Sequence, residues 1–216
     1  MISSLDIIRE FLTTSVSAPA TSTLSAAITT TTATSFTVAS GTGFRSEGRF
    51  AVKIDSEWIL VTRSGTTFTV EAGGRGIFGT TAATHSNGAT VSQGNLYLAC
   101  GTNIAVKTWP EGFGNTYPLV VIEPEGGDSD NYIERFDGSY TFKCFSGSAS
   151  HKECEVLGGL LYDRLQKQAN QILTTGCLQY AYADGPVDVD WEIEPEWEMA
   201  LLGFEIETRE TANTGA

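Results

Sequence analysis

Acidic and apolar side chains alternate between residues 187 and 194: Asp188, Asp190, Glu192 and Glu194 are interleaved with Val187, Val189, Trp191 and Ile193. A period of two is the signature of a strand, so the four carboxylates fall on one face, spaced about 7 Å apart. A calcium ion needs six to eight oxygens converging on it, and a straight strand spreads its ligands too far for that. The spacing of an EF-hand loop, with its turn glycine, is absent. What remains is either an ordinary solvated face above a packed one, or a wall of fixed negative charge that repels a polyanion.

Other residues with chemical potential lead to little. Cys100, Cys144, Cys154 and Cys177 include no Cys-x-x-Cys pair. Cys144, His151 and Cys154 could be imagined around zinc, but such sites show two tight ligand pairs, so buried apolar thiols are expected instead. The only histidines, His85 and His151, sit in no Ser or Cys nucleophile motif. Gly41-Thr-Gly43 and Gly73-Gly-Arg-Gly76 look like phosphate loops, yet no Lys-Ser/Thr and no helix follows, so both read as hairpin turns. Glycoside hydrolysis would need two carboxylates at a set separation, and nothing singles out a pair. The expectation is a protein that is not an enzyme, with no catalytic residue, no metal and no cofactor. Trp109 and Phe113, in the Pro/Gly-rich stretch Thr108 to Pro118, are candidate subunit contacts, because exposed aromatics concentrate binding energy.

These residues need elements to carry them. Ser3 to Thr14 reads as an amphipathic helix, capped by Ser3 or Ser4, with Leu5, Ile8, Phe11 and Leu12 on one face. Leu96–Cys100 and Leu119–Glu123 read as strands, and residues 126–131 as a turn or mobile loop. Asp137-Gly138 predicts a hairpin between Tyr132–Phe136 and Ser139–Phe145. Ser150 to Leu173 predicts the longest helix, opened by a Ser150/Glu153 capping box, with Cys154, Leu157, Leu161, Leu165, Gln168 and Ile172 as its buried stripe. Strands at Cys177–Tyr182, Val187–Ile193 and Met199–Thr208 close the chain. The fold class is α+β: a mainly antiparallel sheet packed by a long helix and a short N-terminal helix.

A segment of different character interrupts this order. Residues 19–93 open with a Ser/Thr run, continue through short β-type runs separated by glycine turns, and hold five bases and four acids of the chain's 13 and 26. Short strands at this spacing predict an inserted small all-β sandwich or barrel, leaving residues 1–18 and 94–216 as the α+β domain. The acids concentrate in that second domain, and the net charge of −13 argues against nucleic-acid binding through phosphate contacts. No apolar stretch approaches the roughly 20 residues needed to span a membrane. The N-terminal apolar run carries charges and has no basic leader, so no signal peptide is expected.

The pattern of residues 1–18 plus 94–212 resembles the tail terminator, or tail completion, proteins of long-tailed bacteriophages. It consists of the short first helix, Tyr117-Pro118-Leu-Val-Val-Ile, the acidic Gly126-Gly127 segment and Tyr140-Thr-Phe-Lys. Leu160-Leu-Tyr-Asp-Arg-Leu165 on a long helix and a closing strand at Met199–Thr208 complete it. The insert is similar to small β modules of phage virion proteins, through Gly43-Phe44, Ile54-Asp-Ser-Glu57, Gly73-Gly-Arg-Gly-Ile-Phe-Gly79-Thr80 and Ala82 to Val91. The first resemblance implies a homo-oligomeric ring, commonly of six subunits, that caps the tail tube and docks the head-tail connector or stopper protein. The place would be the virion neck after synthesis in the host cytoplasm, with no membrane. DNA would pass without specific binding through an acidic lumen, faced by Asp188, Asp190, Glu192 and Glu194. Another neck protein of the head-completion (stopper) type, or a carbohydrate-binding virion module, stays open beside it. Family members of this kind carry nothing inserted after the first helix, so the insert takes no role from the resemblance.

Overall fold

A computed structural model describes residues 3–14, 19–106, 118–130, 135–147, 150–166, 168–183, 185, 188–192 and 197–210. The class is mixed α+β, dominated by antiparallel strands. The chain divides into two compact units, Met1–Val16 with Leu96–Ala216, and Ser17–Asn95.

The first unit begins with α1 (Ser4–Thr13), whose apolar residues Leu5, Ile7, Ile8, Phe11 and Leu12 are all buried. Ser3 and Asp6 form a reciprocal capping box at its start. At its other end the guanidinium of Arg164 stacks 3.7 Å over the Phe11 ring and donates to the carbonyl of Phe11. A cation there offsets the partial negative charge of the last turn.

The second unit comprises β1 (Thr21–Thr23), β2 (Ser35–Thr37), β3 (Phe50–Ile54), β4 (Glu57–Ser64), β5 (Thr67–Arg75) and β6 (Thr90–Gln93), in the order β1-β6-β3-β4-β5-β2. Every pairing is antiparallel. The two end strands meet as well: Leu24 bridges Val38, and backbone bonds join Ser25 to Thr37 and Ala39 to Thr23. The strand circuit therefore closes and leaves no open edge of the kind that invites foreign pairing. Inside, Phe68 is fully buried and takes Phe36 in a stack at 5.3 Å, with Phe44 and Phe50 edge-on. Its β3–β4 turn needs a left-handed residue, and Asp55 supplies it at φ 51°.

Back in the first unit, α2 (Leu96–Cys100) precedes β7 (Ile104–Val106), β8 (Leu119–Asp130) and β9 (Arg135–Phe145). Then come α3 (His151–Leu165), β10 (Gln168–Ile172), β11 (Gly176–Ala183), β12 (Asp188–Glu192) and β13 (Trp197–Glu210). The sheet order is β10-β11-β13-β9-β8-β7, with β12 also paired to β13, and only β7–β8 is parallel. Helices α1 and α3 pack on one face, where Tyr140, Phe142, Leu202, Phe204 and Ile206 are buried and Phe142 meets Phe204 edge-on at 5.6 Å. The Tyr140 hydroxyl reaches Ser4 of α1 at 2.7 Å.

Five local expectations differ from the structure. Leu96–Cys100 is helical rather than extended; its buried residues Leu96 and Cys100 are four apart, a helical spacing that a short apolar run does not advertise. Residues 126–130 continue β8 instead of turning, after a register shift between Pro124 and Gly126. Asp137-Gly138 is no hairpin: β9 runs straight through it, and a Cβ on Gly138 would stand 2.8 Å from the Gly126 carbonyl oxygen. That glycine serves close strand approach rather than a turn. Finally, α3 stops at Leu165, and the Gln168–Ile172 segment expected in the helix is a strand on β11. Ser150 precedes α3 but makes no side-chain cap.

Candidate functional site

The sheet face of the first unit turned away from the helices is where the acidic groups gather. Strand alternation puts Thr141, Ser139 and Asp137 of β9 opposite to Tyr140 and Phe142, in register with Gly203, Glu205 and Glu207 of β13. Each carboxylate is held by a neighbour. Ser139 Oγ donates to Glu205 at 2.6 Å, and Tyr180 Oη donates to Asp137 at 2.9 Å. Lys143 Nζ lies 3.1 Å from Glu123, and Thr141 Oγ1 donates to Glu125. Glu207 is almost completely buried, with Arg209 at 3.9 Å. A carboxylate pinned by hydroxyl donors is fixed in position as an acceptor. Lys143 and Arg209 offset two of these five charges, so the grid presents a reduced negative charge in fixed positions, and among the described residues it contains no activated nucleophile.

The sequence-predicted acids sit beside this grid. Asp188, Asp190 and Glu192 form β12 and pair in register with Leu201, Met199 and Trp197 of β13. The rows of Leu201 and Met199 continue into Lys143 and Phe145 of β9, and Leu119, Val121, Phe145 and Met199 make a small buried apolar cluster there. Glu194, Trp109 and Phe113 lie outside the described residues. The grid acids Glu123, Glu125, Asp137, Glu205 and Glu207 escaped the sequence reading, because they come from three strands and their convergence is a matter of register.

Cys100, Cys144 and Cys154 are all buried, whereas His151 is exposed. Burial, then the neighbouring Cys100 and Cys154 thiols, pushes Cys144 up, and burial alone pushes Cys100 up. Thiols shifted this way stay protonated and inert. Among the described residues no group of three His, Cys, Asp or Glu side chains could hold a metal ion. An open cavity of about 440 Å³ is bordered by Asp6, Arg9, Glu10, Thr13, Thr174 and Thr175. The carboxylate of Glu10 is engaged there by the backbone N–H groups of Thr174 and Thr175, at 2.7 and 2.8 Å. That contact clasps the β10–β11 turn to α1.

The second unit has its own polar centre. Glu57 is fully buried and accepts from Arg75 Nε at 2.6 Å, Arg75 Nη2 at 2.8 Å, Gly76 N at 3.1 Å and Ala83 N at 2.9 Å. His85 bridges it to Asp55, each ring nitrogen 2.8 Å from a carboxylate oxygen. Burial raises the Glu57 carboxyl, but the bonds from Arg75, Ala83 and His85 together outweigh it and hold the group below its usual value. The network joins β4, the end of β5 and the 83–85 stretch; Glu57, Arg75 and His85 are buried while Asp55 at its rim is exposed, and the bonds fasten these strands together.

No family model and no curated protein matches this chain.

Proposed function

We propose that the protein is a structural virion component of the phage tail terminator type, in which identical copies form a ring that caps the tail tube and meets the head connector. In this reading residues 1–18 and 94–216 are the ring-forming α+β frame with its long helix. Residues 19–93 are an inserted β module. The observation that carries the reading is the acid grid of Glu123, Glu125, Asp137, Glu205 and Glu207 on the sheet face opposite the helices. Turned toward a bore, such a face repels phosphate, so DNA slides past without adhering. Asp188, Asp190 and Glu192 belong to β12, the strand paired with β13 beside this face. The task is geometric and involves no chemistry, with the tube protein, the connector and further copies of the chain as partners.

Sedimentation velocity of the purified chain at high concentration, paired with negative-stain imaging, tests this. A discrete closed species with a central hole is expected, and it leaves double-stranded DNA unshifted at low salt. A monomer at every concentration, or tight DNA binding, contradicts it.

A further inference from the structure

We infer that the β10–β11 hairpin is the surface through which one copy of this chain contacts the next; the inference rests on the ring reading above. Residues 168–183 form a run of sixteen without a single charged side chain, in a chain whose net charge is −13. The hairpin sits at the end of the sheet, with β10 paired only to β11 among the described residues. The turn is closed by Leu173 N–H on the Gly176 carbonyl, at 2.8 Å. Antiparallel alternation then turns the N–H and C=O of Ile172 away from β11, toward the open side. The Ile172 side chain is 84% exposed and Tyr182 61%, and their register with Cys177 and Glu205 puts both on the face of the acid grid.

Edge strands that must stay unpaired are guarded by charge or proline. The opposite side of this sheet follows that rule, since β8 beyond its three-residue pairing with β7 carries Glu123, Pro124 and Glu125. Strand β10, Gln-Ala-Asn-Gln-Ile, carries neither charge nor proline. Its hairpin is also held in place beforehand: Glu10 clasps Thr174 and Thr175, and the Gln166 side chain accepts from Ala183 N at 3.0 Å. A pre-set edge loses little entropy on pairing. Charge decides the occupant. A basic partner would seek the carboxylates, whereas a neighbouring copy, itself strongly acidic, meets least repulsion at this uncharged hairpin, which in a ring docks against a different surface of that copy. The occupant is therefore a second copy, adding main-chain bonds to β10 and covering Ile172 and Tyr182.

The test compares the wild-type chain with I172K and Y182K by sedimentation velocity, alongside hydrogen exchange at residues 168–172. Both replaced side chains are exposed, so far-ultraviolet circular dichroism should not change. The expected result is wild-type assembly with concentration-dependent protection of 168–172, and half-assembly of the variants at about tenfold or more higher concentration. Variants that assemble like wild type, without protection of 168–172, overturn the hairpin assignment while the ring stands. A wild-type chain that stays monomeric overturns both.

Discussion

Glu57 and Arg75 meet as a two-pronged ion pair inside the second unit, Nε to Oε1 at 2.6 Å and Nη2 to Oε2 at 2.8 Å, with side chains 0% and 9% exposed. The pair joins β4 to the last residue of β5, and Arg75 adds a bond to the Thr30 carbonyl. Removing one partner strands a buried charge, which costs roughly 3–5 kcal/mol. E57A should therefore lower the unfolding transition of residues 17–95 in the full chain, read by hydrogen exchange, and leave protection in β9 and β13 unchanged. Equal loss in both units would show that the pair is not local to the barrel.

The same carboxylate predicts an acid limit. Its folded-state value lies below the ordinary 4.5, so its stabilisation is fully present above the unfolded value and fades as pH falls through the folded one. Glu10 is shifted the same way: burial raises it, and the bonds from Thr175 and Thr174 more than reverse that. Protection factors of amides in the 83–91 segment, corrected for the intrinsic pH dependence of exchange, should fall below about pH 4. E57Q should flatten that dependence, although it lowers stability at neutral pH.

Arg164 is a third point of leverage. Burial pushes its guanidinium down to about 10, and its Nε is buried without a partner. What holds it is the Phe11 ring and the carbonyl at the end of α1. R164A should fray the last turn of α1 and lower stability by about 1–3 kcal/mol. R164K should recover only part, since an ammonium lacks the planar stacking surface. Full rescue by lysine would mean that charge alone matters.

The entry and exit of the second unit are neighbours: Thr21 pairs with Ser92, and Gln93 N donates to the Ala20 carbonyl at 2.8 Å. Helices α1 and α2, which flank it in the chain, pack together within the first unit. Replacing residues 19–94 with a short Gly/Ser linker should leave the first unit folded, with native-like circular dichroism and protected amides in β9 and β13. Loss of that protection would show that the frame depends on the module.

Local side-chain chemistry was legible in the sequence where it acts over three or four residues. Ser3 and Asp6 announce the start of α1, and the apolar spacing of Leu5, Ile8, Phe11 and Leu12 gives its buried face. Ile172 shows the opposite case. It continues the helical spacing of Leu161 and Leu165, yet it lies exposed on an edge strand. Periodicity counts apolar residues without saying what covers them, and the polar Gln168-Ala-Asn-Gln171 stretch pairs with β11 instead of extending α3. Asp137-Gly138 misled for a related reason, because a glycine needed for close strand approach has the same letter as one needed for a turn. The acid grid could not be read at all: Glu123, Ser139 and Glu205 come from three strands, and only their register brings them together.

The most direct measurement is a reconstruction of the assembled particle by electron cryo-microscopy, to a resolution at which strands are traced. An annulus with Glu123, Asp137 and Glu205 lining the bore, and Ile172 buried between adjacent copies, is the predicted result. A particle with those carboxylates on its outer perimeter, or with no central channel, would contradict the account.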